Sequence, residues 1–127
     1  MIRVRVFIVS AASAACMSSA MAQPAASPVQ TIQVYSYGYA PRPIELAAGR
    51  AVTLNFVNQS GSGHDFTSRA LFAKSRIVAG AAPNGEIELG PRQSKSVTLI
   101  PQAGVYEAHC SHFMHAPMGM RTRIVVR

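Results

Sequence analysis

The chain has 127 residues, enough for one domain, and a formal net charge of +7. No basic run is interleaved with aromatic residues, so the charge does not follow the usual nucleic-acid-binding pattern. It reads instead as solubility, or as steering toward an acidic partner protein or an anionic membrane surface.

Residues 1–22 have the pattern of a secretory signal peptide. Arg3 and Arg5 form a short positive start, Val6 to Ala15 is apolar or small, and Ala20-Met21-Ala22 offers small residues at the two positions that signal peptidase reads. Cleavage is expected after Ala22. The apolar stretch is too short for a transmembrane span, so stable membrane insertion is not expected. A lipoprotein start at Cys16 would want a Leu-like residue three positions earlier, where Ser13 stands. The expected location is periplasmic or secreted. The remaining chain, Gln23 to Arg127, has ten Lys/Arg against five Asp/Glu and is long enough to bury a core without disulfides.

Residues 23–30 are rich in Pro, Ala and Ser and read as a flexible leader to a domain over 31–127. T-I-Q-V-Y-S-Y then alternates, with Ile32 and Val34 on one face. Pro41 and Pro43 bracket a bend. A-V-T-L-N-F-V-N alternates with Val52, Leu54 and Phe56 facing one way. Q-S-G-S-G is a loop, followed by H-D-F-T.

From Ser68 to Val78 the period changes. Ala70, Leu71, Lys74, Ile77 and Val78 suit one face of a short helix near residues 68–78, with Ser68 as N-cap. E-I-E-L-G, S-V-T-L-I, V-Y-E-A-H-C and R-T-R-I-V-V return to alternation, and Arg121 and Arg123 share a solvent face. The fold class is therefore all-β: an antiparallel Greek-key sandwich or barrel of about seven or eight strands with one short helix. Tryptophan is absent, so the core rests on Phe, Tyr, Leu, Ile and Val.

The chemistry concentrates in H-C-S-H-F-M-H-A-P-M-G-M, His109 to Met120. Cys110 is the one cysteine outside residues 1–22, and a lone thiol in an oxidising compartment is a hazard unless buried, paired between chains or metal-bound. Thiolate, imidazole and thioether make a soft donor set that suits neither calcium nor magnesium. Structural zinc usually takes four strong Cys/His ligands. One Cys, two His and a weak axial Met is the set that holds a type 1 copper. The spacing Cys110-x4-His115-x4-Met120 lets one loop deliver three ligands, and Ala116, Pro117 and Gly119 let that loop turn. His64 is the other histidine, after strand 51–58 and its Gly/Ser loop.

On Y-E-A-H-C-S-H-F-M-H-A-P-M-G-M-R-T-R-I-V-V, and on the upstream V-N-Q-S-G-S-G-H-D-F, the sequence resembles the cupredoxin family of blue copper proteins. The resemblance covers about Thr31 to Arg127. It implies His64, Cys110 and His115 as strong equatorial ligands of one copper ion and Met120 as the weak axial ligand. Many members carry Asn directly after the first His, where this chain has Asp65. In the family that side chain ties the ligand loops together, so Asp65 is expected to accept a hydrogen bond from Ser111.

The remaining donors read more plainly. His109 points away from Cys110 on its strand. His112 is a solvent-facing residue near the site, and Met114 and Met118 are loop packing, although together they leave room for a second or shifted Cu(I) site. Phe113, Met114, Ala116, Pro117 and Met118 would make an apolar collar around His115. Ser111 replaces the second His that flanks the Cys of multicopper oxidases, and no His-x-His pair exists for a trinuclear cluster.

The reading is a monomeric electron carrier, not an enzyme, that meets an acidic redox partner protein and no nucleic acid. The competing reading is a copper carrier or resistance protein that hands over Cu(I) through its Met/His-rich loop.

Overall fold

The computed structural model describes Met21 and residues 25–127. Apart from Met21, the expected signal peptide lies outside the described residues. Ten strands form two five-stranded sheets. They are β1 (Val29–Tyr35), β2 (Gly38–Ala40), β3 (Ile44–Leu46), β4 (Val52–Asn58), β5 (His64–Thr67), β6 (Arg76–Ala79), β7 (Glu86–Leu89), β8 (Ser94–Ile100), β9 (Gly104–His109) and β10 (Arg121–Val126). The first sheet runs β2-β1-β4-β8-β6 and the second β3-β10-β9-β5-β7.

The alternation expected for residues 52–58 is realised. Val52, Leu54 and Phe56 are buried between the sheets, as are Ile32 and Val34 on β1. Val97 and Leu99 from β8, Tyr106 and Ala108 from β9, and Ile124 and Val126 from β10 complete the same layer. Period-two patterning thus places one apolar face per strand in the core, the arrangement a sandwich requires.

Four expectations need correction. Among the described residues the strands number ten rather than seven or eight, because the chain around Pro41–Pro43 supplies two three-residue strands, β2 and β3, and the end of the expected helix supplies β6. Pairing is mixed: β1 runs parallel to β4, and β3 parallel to β10. The leader ends earlier than expected, since the Pro28 carbonyl accepts from Thr53 N–H at 2.9 Å and β1 begins at Val29 in register with Thr53.

The fourth correction is the helix, which covers only α1 (Arg69–Lys74). Ser75 is extended and its hydroxyl donates back to the Leu71 carbonyl at 2.7 Å, ending the helix. The β-branched Ile77 and Val78 then join β6 at the sheet edge, where both are exposed. Leu71 and Phe72 are the residues α1 buries. Ser68 makes no side-chain cap; its hydroxyl donates to the Glu107 carbonyl at 2.7 Å, tying the start of α1 to β9.

A single 3-10 turn, Pro83–Gly85, secures the other side of α1. Gly85 has φ +74°, its carbonyl accepts from Ser68 N–H at 2.9 Å, and a Cβ there would sit 2.6 Å from the Arg69 Cα. Both the left-handed backbone and the contact exclude a side chain. Gly85→Ala is expected to destabilise the fold by about 2 kcal/mol, read as a lowered urea midpoint at unchanged slope.

Candidate metal centre

One end of the second sheet holds the donors. His64 opens β5 and is fully buried, a place reached because the Asn58 side chain pins the preceding loop, donating to the Ser62 and Gly90 carbonyls at 2.8 and 2.9 Å. Cys110 directly follows β9 and is 1% exposed. The loop from Ser111 to Gly119 folds back on itself through His115 N–H to the His112 carbonyl at 3.2 Å and Met118 N–H to the Met114 carbonyl at 3.1 Å. Its two ends are clasped, with Cys110 N–H donating to the Met120 carbonyl and Met120 N–H to the His115 carbonyl, both at 3.1 Å. Met120 is fully buried in the core beneath that clasp.

This folding brings three donors together. His64 Nδ1 and His115 Nδ1 are 3.2 Å apart, and Cys110 Sγ is 3.4 Å from His115 Nδ1. All three donor atoms lie within 4.8 Å of one another. An ion centred in a triangle with edges near these values would sit about 2 Å from its corners, close to metal–nitrogen and metal–sulfur bond lengths. Soft sulfur with two imidazoles favours copper over magnesium or calcium.

The surroundings prepare these atoms for a cation. Ser36 Oγ lies 2.8 Å from His64 Nε2. With that nitrogen donating to the hydroxyl, Nδ1 keeps its lone pair turned toward Cys110 and His115. Burial, and then the neighbouring His115 and His112 rings, hold His64 below its usual range and favour the neutral ligand form. Burial pushes the Cys110 thiol up, against the pull of backbone N–H groups from Asp65 and His112. Asp65 N–H donates to Cys110 Sγ at 3.4 Å, a contact that favours thiolate.

Comparison with known proteins agrees with this arrangement. The cupredoxin-like domain family matches residues 6–126. The chain belongs to the cupredoxin-like family. Among solved structures, auracyanin B is similar at 20% identity and TM-score 0.60, over 86% of this chain and 95% of that one. Dithionite-reduced auracyanin from the photosynthetic bacterium Roseiflexus castenholzii is similar at 19% identity and TM-score 0.60, over 81% and 99%. Both likenesses concern the fold. A search of curated proteins gives no match.

Asp65 occupies the joint of this cupredoxin site. Its carboxylate accepts from Ser111 N–H at 2.9 Å, from the Ser111 hydroxyl, and from the Thr67 hydroxyl at 2.9 Å. The expected tie between the two ligand segments is therefore present, with Thr67 added. Asp65→Ala would strip three donors of their acceptor and is expected to cost about 3 kcal/mol. Asp65→Asn keeps an oxygen acceptor and an amide that the Ser111 hydroxyl can receive, so its cost should be about 1 kcal/mol or less. Urea unfolding of the two metal-free variants separates them.

The other sequence candidates fall outside the triangle. His112 is partly exposed and bonds Glu88 at 2.9 Å, with Asp65 Oδ2 3.7 Å away. Asp65, Cys110 and His112 also form a donor group, but the Glu88 contact holds the His112 ring on the outer side. Met114 and Met118 are not packed as expected; they are 49% and 55% exposed. Met114 has φ +64°, a left-handed backbone position within the loop. His109 lies opposite Thr67 on the outer face and lines a cavity with Glu86 and Glu107.

Sequence reasoning missed Ser36, Tyr37, Tyr39 and Glu88. The Tyr37 ring stands 5.0 Å from the His115 ring and 6.1 Å from His64, shielding both. The Tyr39 hydroxyl donates to the Asp65 carbonyl at 2.5 Å, and burial pushes this phenol far up. The available signal was the alternating Y-S-Y-G-Y of residues 35–39, which cannot by itself say which strand end it faces.

Proposed function

We propose that this protein is a type 1 copper electron carrier. The convergence of His64, Cys110 and His115 under a loop with an apolar surface supports this reading above all. His64, Cys110 and His115 would hold the ion as strong ligands, with Met120 as the weak axial one. Copper so held supplies a one-electron Cu(II)/Cu(I) couple. The protein's part is rigidity. The clasp between Cys110, His115 and Met120, and the Asp65–Ser111 tie, limit how far the donors move between redox states.

The loop tip fits a brief encounter with a partner. Phe113 is 90% exposed, and Met114 and Met118 stand beside it around half-buried His115. Exposed apolar residues gathered at one place mark an interaction surface. The Roseiflexus structure, recorded in a dithionite-reduced form, supports redox chemistry in a protein of this fold. We read the chain as a carrier because its three donors sit beneath one short, clasped loop, an arrangement suited to a one-electron couple. Export to the periplasm or beyond, and a monomeric state, are part of the same proposal.

The exposed thioethers of Met114 and Met118 favour a second reading, a carrier that hands over Cu(I). One experiment separates the two. Cu(II) is added, the visible spectrum is recorded, and the sample is reduced in the presence of a Cu(I) chelator. An electron carrier should show an intense visible band, keep its copper when reduced, and regain the band on reoxidation. A colourless protein, or one that surrenders its copper to the chelator within seconds, would favour delivery.

A further inference from the structure

The outer face of the second sheet carries an open groove of about 480 Å³ lined by Arg42, Pro43, Glu107, Arg121, Thr122 and Arg123. Strand alternation explains its content. On β10, Thr122 turns inward and is 5% exposed, while Arg121 and Arg123 turn outward. Glu107 lies opposite Arg123 on β9. β3 pairs only with Ile124–Val126, so the Arg121–Arg123 half of β10 is bordered instead by the bend that carries Arg42.

Three guanidinium groups thus face one carboxylate. Among the described residues, none of the three arginines is in an ion pair; the pairs present involve His112 and Arg127. Five of the six lining residues are exposed. A groove with such open walls cannot enclose most of a small ligand's surface, as small-molecule sites do. It suits carboxylates that arrive on a surface of their own. The groove is also continuous with the apolar loop: Arg121 follows Met120, and its Nε donates to the Ala116 carbonyl at 3.4 Å.

We propose that Arg42, Arg121 and Arg123 form the electrostatic half of the docking surface, receiving carboxylates of an acidic protein whose apolar patch covers Phe113, Met114 and Met118. This rests on the electron-carrier reading for the partner's role. Arginine suits the task because its planar fork meets carboxylates with two parallel hydrogen bonds.

The test is an amide-shift titration of the 15N-labelled full chain, metal-free and Cu(I)-loaded, with a hexaglutamate peptide at low ionic strength. Shifts should centre on Arg42, Glu107 and Arg121–Arg123. Arg42→Gln, Arg121→Gln and Arg123→Gln together should weaken binding about tenfold, the summed effect of exposed charge pairs. A control triple on other surfaces, Arg50→Gln, Arg76→Gln and Lys95→Gln, removes equal charge and should change binding less than about twofold.

Equal weakening by both triples, or shifts spread over the whole surface, would overturn the proposal. Citrate saturating the same amides at lower concentration than the peptide would mark a small-anion site and overturn it too. The metal-free arm reads the groove even if no visible copper band forms, so the two ideas fail separately.

Discussion

Cys110→Ser should abolish the visible band that Cu(II) produces in the wild-type protein and lower copper affinity by more than about a hundredfold, since losing even an outer partner of a metal ligand costs 10–100-fold. The intense absorption of a type 1 centre depends on a thiolate bound to Cu(II), and Cys110 Sγ is the only sulfur anion the triangle can offer. Serine nearly preserves the volume, so the core should stay closed around a side chain that is 1% exposed. Its hydroxyl, however, does not ionise at neutral pH and is a hard donor. The metal-free variant should therefore melt within a few degrees of wild type while its copper-loaded spectrum is colourless. A band of wild-type intensity in the mutant would mean that the chromophore lies elsewhere.

Phe66→Ala should be the most damaging core substitution near the site, with a loss of about 4 kcal/mol. Phe66 is fully buried, and its ring meets Phe56 at 4.8 Å, Tyr39 at 5.5 Å and Phe72 at 6.3 Å between centroids. Removing it forfeits transfer energy, leaves a cavity between the sheets, and breaks three aromatic contacts at once. For a domain of this size, a loss of that order lowers the melting temperature by about 20 °C. The residue shares β5 with His64 and Asp65, so the variant should also bind copper more weakly. Saturating copper should then restore part of the melting temperature by mass action. A loss below about 2 kcal/mol in metal-free denaturation would show that the surrounding rings collapse into the space.

The parts of this protein that were legible from sequence share one property: they depend on local spacing. Alternation at Val52, Leu54 and Phe56 states which side of a strand is dry, and Cys110, His115 and Met120 lie on one continuous segment. His64 stands out as the one histidine outside His109 to Met120, and the resemblance to cupredoxins added its ligand role and the Asp65–Ser111 tie. Neighbour choice was not legible. Period two says nothing about whether β1 meets β4 parallel or antiparallel, because either direction buries the same face.

The end of the helix is not legible because Ile77 and Val78 fit a helical face and an edge strand equally well by position. Sheet pairing with Leu99 decided the matter. Ser36 and Tyr37 were invisible because their role depends on where a separate sheet ends relative to His64 and His115. The exposure of Met114 and Met118 is not legible either, because methionines in a loop next to a core more often pack against it.

β5 and β9 share a single ladder pair, Thr67 with His109. Beyond it the two strands diverge toward the donors, held there by the Asp65 carboxylate and by the Asp65 N–H contact to sulfur instead of by a continuing ladder. A seam joined by side chains opens at lower free energy than one joined by backbone. In the metal-free chain, amide hydrogens at this end should therefore exchange through small, local openings while the sandwich below stays shut. Added copper is expected to slow that exchange at Asp65, Cys110 and Ser111, which hydrogen exchange recorded with and without the ion would read.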